Sequence, residues 1–196
     1  MIHQSLITLD FNGIPGAYAE FACCGANTFG SAHQALKRCR TIKRQMWAFD
    51  SFAGLPPADC PEDDHPRWLA GTMKMGLDEF QAACRKKGIK DYQVLQGFYS
   101  ETLTKQPDSF LPAGEIAMAY IDCDLYSSSL DVLRFLKSRL QHGMIVAFDD
   151  YWCYSKTDIS GERKAFLEVF VGQSGWHFEP YLSYGWAGMS FVVEKC

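Results

Sequence analysis

None of the eight cysteines forms a C-x-x-C pair, and they lie scattered along 196 residues. That spacing offers no zinc ribbon, and in a chain of this length it does not read as a disulfide framework. Cys23, Cys24 and Cys123 stand inside apolar runs, where a free thiol behaves as a small hydrophobe. Reduced cysteines and a cytoplasmic location are the expectation. Long apolar runs are missing too: none approaches the ~18 to 20 residues that cross a bilayer. Met1 to Ile14 lacks the basic and apolar regions of a signal peptide. Positive charge is not in excess, since 19 Lys and Arg face 23 Asp and Glu for a net charge of −4. No electrostatic reason for a nucleic-acid partner follows. Short basic pairs such as Lys37-Arg38 and Lys86-Lys87 read as solvated helix ends. With no repeat and no low-complexity tract, a single domain over 1–196 is expected.

What is present is concentrated in two phrases. Ala119-Tyr120-Ile121-Asp122-Cys123-Asp124-Leu125-Tyr126 and Met144-Ile145-Val146-Ala147-Phe148-Asp149-Asp150-Tyr151 are apolar runs that stop on carboxylates. Runs of this kind read as buried strands. Between them, Leu130, Leu133, Leu136 and Leu140 have the spacing of one helix face, and Gly143 follows as a stop. The unit is β-α-β, so its strands are parallel, and ligands bind outside the carboxyl ends of such strands. Asp122, Asp124, Asp149 and Asp150 would share that rim. Inert turn formers and caps are the plain alternative, but four neighbouring carboxylates repel one another unless something positive joins them. Hard oxygen ligands favour Mg²⁺, Ca²⁺ or Mn²⁺ over Zn²⁺.

Earlier in the chain, Met1 to Ile14 reads as an arm before Pro15-Gly16, and Ala17 to Cys24 as the first strand. A small-residue loop, Gly25 to Ser31, then precedes a helical pattern from Ala32 to about Arg40. Strand, glycine-bearing loop and helix is an arrangement that binds a cofactor at a helix N-terminus, although G-x-G-x-x-G itself is absent. Gln45 to Phe49 forms a second strand ending on Asp50 and Ser51, where a carboxylate holds a pair of ribose hydroxyls. The proline-rich stretch 55–76 is long enough to be a lid. Tyr92 to Leu95 is a third strand, with Gln96 and Gly97 at its carboxyl end. His177 to Tyr184 and Gly188 to Glu194, joined by Gly185-Trp186-Ala187, read as a terminal antiparallel hairpin. The plan resembles the α/β, Rossmann-like class I methyltransferase fold: a mostly parallel seven-stranded sheet with a C-terminal antiparallel hairpin.

Several ordered phrases carry a closer resemblance. Asp50-Ser51-Phe52-Ala53-Gly54-Leu55-Pro56 is similar to the D-S-F-E-G-L-P phrase of the macrocin O-methyltransferase family, which modifies sugar hydroxyls of antibiotics. Gln96-Gly97-Phe98-Tyr99-Ser100-Glu101-Thr102-Leu103, Asp122-Cys123-Asp124-Leu125-Tyr126 and Phe148-Asp149-Asp150-Tyr151 resemble its G-x-F-x-x-T-L, D-G-D-L-Y and V-D-D-Y, and Gly161, Lys164 and Ala165 suit its G-x-x-K-A. The resemblance implies a Mg²⁺-dependent O-methyltransferase that uses S-adenosylmethionine. Carried over, Asp122, Asp149 and Asp150 would hold the metal, and Asp124 would be the general base. Glu20, Ala22 and the loop to Gly30 and Ser31 would face the methionine part of the cofactor. Asp50 with Ser51 would face the ribose, and Gln96 with Gly97 the adenine. The acceptor implied is a small-molecule hydroxyl, on a sugar or polyol of a natural product, and a homodimer is an expectation by analogy. Ala22 stands where the family has glycine, and the loop to Ser31 reads longer than the family's. Two alternatives accompany this expectation. One is a catechol-like phenol acceptor held among Phe52, Trp68, Tyr126, Trp152 and Tyr154. The other is a non-catalytic module whose acidic rim holds a cation or a partner.

Overall fold

Five short runs, Ala17–Phe21 (β1), Met46–Asp50 (β2), Gln93–Gln96 (β3), Ile116–Ile121 (β4) and Ile145–Phe148 (β5), pair as parallel strands in the computed structural model, which describes residues 1–196 except Tyr154, Gln173 and Ser174. Trp176–Tyr184 (β6) and Gly188–Lys195 (β7) add an antiparallel pair, and the sheet order is β3-β2-β1-β4-β5-β7-β6. The expected sheet is therefore present, hairpin included. Every residue of β1, β4 and β5 is buried, because helices cover both faces of a parallel sheet and leave no polar side to alternate with.

The helices are Ile2–Phe11 (α1), Asn27–Leu36 (α2), Leu77–Lys86 (α3), Tyr99–Thr102 (α4), Tyr126–Lys137 (α5) and Gly161–Phe170 (α6). One apolar cluster joins Tyr18, Ala48, Met118 and Ala147 of the sheet to α1, α2 and α3 through Leu6, Phe29 and Phe80. The other joins Ala19, Phe49, Ala119 and Phe148 to α4, α5 and α6 through Tyr99, Leu136 and Phe166. The period-2 strands thus send side chains alternately into two layers.

Two expectations are corrected. The N-terminal segment is not an arm: Ile2, Leu6 and Leu9, at helical spacing, are buried against the sheet as α1. Asp10 then fastens its end by accepting the backbone N–H groups of Arg40, Thr41 and Ile42. The second helix begins at Asn27, not at Ala32. Ala22, Gly25 and Ala26 adopt left-handed φ values of 67°, 79° and 50°, so the chain reverses within five residues and the helix starts early. Residues 27–31, read from the sequence as loop, are the first turn and a half of α2.

Candidate active site

The strand order reverses between β1 and β4, and a crevice opens where their carboxyl ends diverge. There the N–H of Asp122 still reaches Phe21 O (3.0 Å) and that of Ala22 reaches Phe49 O (2.9 Å). A cleft of about 850 Å³, open mouth included, lies above these ends. Its lining includes Ala22, Asp50, Ser51, Gly97, Phe98, Asp122 and Asp124. Segment 55–76 contributes Leu55, Pro56, Pro57, Asp59 and Met73 to the wall. Five aspartates (Asp50, Asp59, Asp122, Asp124 and Asp131) line this space and, among the described residues, no Lys, Arg or His does, so it suits a cationic ligand.

Asp50 is fixed from both sides. One carboxylate oxygen accepts Cys23 N at 2.6 Å and the other accepts Phe52 N at 2.7 Å, while each keeps a further lone pair for the cleft. Burial raises its pKa, and the two backbone donors oppose that shift. Ser51 lies beside it with its hydroxyl turned to Gly54 O at 3.0 Å. Gly97 has φ 134°, and a Cβ there would stand 2.6 Å from the Thr102 methyl, so the cleft floor at this point requires glycine.

The residues read as methionine-facing divide. Ala22 lines the cleft. Glu20 does not: it is fully buried beneath the rim, where its carboxylate accepts the hydroxyls of Tyr18 and of Thr28 (2.6 Å). It braces the start of α2 from below. Gly30 and Ser31 are carried away with α2 and line a separate groove with His3, Arg38 and Lys87. Gln96 is exposed at the end of β3 and outside the lining, although its neighbour Gly97 is inside.

The acid-bearing strand ends do converge. Asp122, Asp149 and Asp150 each place a carboxylate oxygen within 4.8 Å of the other two. Burial first, then Asp149 and Asp150, lifts Asp122 to a pKa of about 8. Asp124 is raised to about 9 by burial and then by its neighbour Asp150. Asp149 is raised by burial against the pull of the Tyr120 hydroxyl, which donates to it at 2.6 Å. Three carboxylates that meet at this distance, with Asp122 held well above its ordinary range by burial and by the other two, form a donor set suited to a hard divalent cation. A second trio, Asp59, Cys60 and Asp63, lies on segment 55–76, with one Asp63 oxygen accepting Ser127 N at the head of α5 (2.9 Å). None of Phe52, Trp68, Tyr126 and Trp152 lines the cleft, and Phe52 is core. Tyr154 lies outside the described residues.

The family model of the macrocin-O-methyltransferases (TylF) matches residues 1–164. The chain belongs to that family. Among curated relatives, 31% identity over 147 residues links it to an 8-demethyl-8-(2,3-dimethoxy-alpha-L-rhamnosyl)-tetracenomycin-C 4'-O-methyltransferase of Streptomyces olivaceus, covering 71% of this chain and 54% of the relative. A mycinamicin III 3''-O-methyltransferase of Micromonospora griseorubida is 28% identical over 151 residues, covering 71% and 57%. The chain thus spans little more than half the length of these two relatives. Among solved structures, the calicheamicin methyltransferase CalS11 superposes with TM-score 0.77 at 20% identity, covering 97% of this chain and 76% of that one. The O-methyltransferase NovP gives 0.74 at 20%, covering 99% and 78%. At those identities the likeness establishes the fold, which is the class I methyltransferase sheet.

Sequence patterns in this macrocin-O-methyltransferase family member gave no hint of Glu162. It is fully buried, and its two carboxylate oxygens accept Cys123 N and Asp150 N, each at 3.0 Å. The only signal was an acid in the first turn of a helix, which is commonplace at a solvated end.

Proposed function

We propose that this chain is an S-adenosylmethionine-dependent, Mg²⁺-dependent O-methyltransferase whose acceptor is a hydroxyl of a sugar or polyol in a natural product. The observation that carries the proposal is the meeting of Asp122 with Asp149 and Asp150, where Asp122 also lines, beside Asp124 and Asp50, an acidic cleft at the strand ends. Family membership and the sugar O-methyltransferases among its relatives support the choice of acceptor.

Asp50 would hold the ribose hydroxyls through its free lone pairs, and Gly97 would admit the adenine close to the backbone. A cleft wall of aspartates without a counter-ion suits the sulfonium and ammonium charges of the cofactor. S-adenosylmethionine supplies an already activated methyl group, so what remains for the protein is alignment and removal of one proton. Bound by Asp122, Asp149 and Asp150, Mg²⁺ would supply Lewis acidity toward the acceptor oxygen. Asp124, held at φ 60° on the rim and 5% exposed, would accept the hydroxyl proton in its carboxylate form, which its raised pKa disfavours in the empty site and a cation held beside it would favour.

The test is turnover of a glycosylated natural product carrying a vicinal diol, set beside a catechol, with Mg²⁺ or with chelator. Methyl transfer to the diol should fall on the order of 10²-fold or more both on chelation and in Asp149→Ala. Undiminished transfer with chelator would remove the metal from the mechanism, and transfer to the catechol alone would change the acceptor class.

A further inference from the structure

The ladder between β4 and β5 ends at Ile121 and Phe148. Its last bond is Asp149 N to Ile121 O at 2.9 Å. Past that point the two chains no longer hold each other, yet this is where carboxylates from both must converge. Two amides in the diverging stretch, those of Cys123 and Asp150, find their acceptors on one side chain: Glu162 takes the first with Oε1 and the second with Oε2, both at 3.0 Å.

We propose that Glu162 is a positioning residue for the metal site, a carboxylate clamp that fixes the separation of the two acid-bearing strand ends so that Asp122, Asp149 and Asp150 can bind one cation. The proposal rests on the metal assignment made above. Only a carboxylate offers two acceptor oxygens and no donor, so an amide at this position would turn an NH₂ group toward one of the two N–H groups. Glu162 is 0% exposed, and no Lys, Arg or His among the described residues pairs with it. An uncompensated buried acid is costly, and burial raises the pKa of Glu162; the two backbone N–H donors oppose that shift, and its place in the first turn of α6 offsets part of the cost. The preceding residue is shaped for the same end. Gly161 has φ 58°, and a Cβ there would stand 3.2 Å from both Asp124 O and Cys153 O, so glycine lets α6 begin close enough for Glu162 to reach under the rim.

Metal affinity separates a positioning role from a merely structural one. Mn²⁺ would be titrated by electron paramagnetic resonance into the wild type, Glu162→Gln and Gly161→Ala, with S-adenosylhomocysteine binding measured beside it in chelator. Hydrogen-bond partners that orient metal ligands are worth about 10- to 100-fold in affinity. Mn²⁺ binding should therefore weaken at least tenfold in Glu162→Gln. Affinity for S-adenosylhomocysteine should stay within twofold, and kcat should fall while KM for S-adenosylmethionine holds. Gly161→Ala carries the same test should the glutamine variant not fold. Mn²⁺ affinity within twofold of wild type in a folded variant, whatever its melting temperature, would overturn the proposal. So would equal loss of both ligands, which would mean collapse of the rim. Failure of the wild type itself to bind Mn²⁺ would instead overturn the metal assignment, and this proposal with it.

Discussion

Glu20 is a fully buried acid whose partners, among the described residues, are two hydroxyls and a backbone amide. Burial lifts its pKa from 4.5 to about 7, against the opposing hydrogen bonds from Thr28, Tyr18 and the backbone of Phe29. The folded chain therefore keeps a proton between pH 4.5 and about 7 that the unfolded chain has released. Stability from this group is fully present below pH 4.5, declines as pH rises through about 7, and is flat above it. The whole effect is on the order of 3 kcal/mol. Glu20→Gln should flatten that decline and be the more stable protein at pH 8, measured by urea denaturation at pH 5 and pH 8. Parallel pH curves for the two proteins would refute the assignment. Two residues on, Ala22 holds φ 67°, a conformation that costs a residue with a Cβ about 1 to 2 kcal/mol. Ala22→Gly should raise stability by up to about 1 kcal/mol, less than the strain itself because glycine loses more entropy on folding. A lower denaturation midpoint would show that the alanine methyl contributes packing that outweighs its strain. At this scale the strand-end acids were legible because apolar runs stopped on them. Glu162 was not, since its burial comes from α6 meeting two distant strands.

The elements show the same division. Helices and strands with a strong period were legible near their boundaries, including α3, α5 and the β6–β7 hairpin. Helix α1 carries its apolar stripe in Ile2, Leu6 and Leu9, but its polar and exposed remainder masks so short a pattern. The start of α2 was hidden because two alanines, at Ala22 and Ala26, take the left-handed turns that sequence reasoning assigns to glycine. Segment 55–76 has no periodicity, and its order comes from tethers: Leu55 and Thr72 close its base at 3.0 Å, Glu62 meets Lys164 at 2.8 Å, and Asp63 accepts Ser127 N. The ion pair is partly exposed and screened by solvent, so it contributes little. Asp63 matters more, because it is buried and caps α5 from outside that helix. Asp63→Ala should cost about 1 to 2 kcal/mol, the usual loss for a missing cap, and free the segment locally. Hydrogen exchange should quicken over 55–76 and the first turn of α5 while β4 stays protected. Unchanged exchange over 55–76 would mean that Asp63 is not its anchor.

Across the whole molecule, the carboxyl edge of the sheet carries two stations at different strands. Asp50 and Gly97 stand at the ends of β2 and β3, and Asp122, Asp149 and Asp150 at the ends of β4 and β5, with the switch point between them. The β-α-β order made both stations visible in the sequence. That Asp122 of the second station lines the same acidic cleft as Asp50 and Gly97 could not be read there, since it depends on strand order. If the stations hold cofactor and metal respectively, they should be separable by mutation. Saturating S-adenosylhomocysteine at 100 times its Kd should stabilise the wild type by about 2.7 kcal/mol, a rise in Tm of roughly 5 to 10 °C for a chain of this size. Asp50→Asn should lose most of that rise, because its NH₂ group opposes one of the two backbone donors that now fix the carboxylate, and should bind Mn²⁺ as the wild type does. Asp149→Ala should keep the rise and lose Mn²⁺. A single variant that abolishes both would mean that the edge behaves as one cooperative site, with cofactor and cation bound through the same rearrangement rather than on two preformed stations.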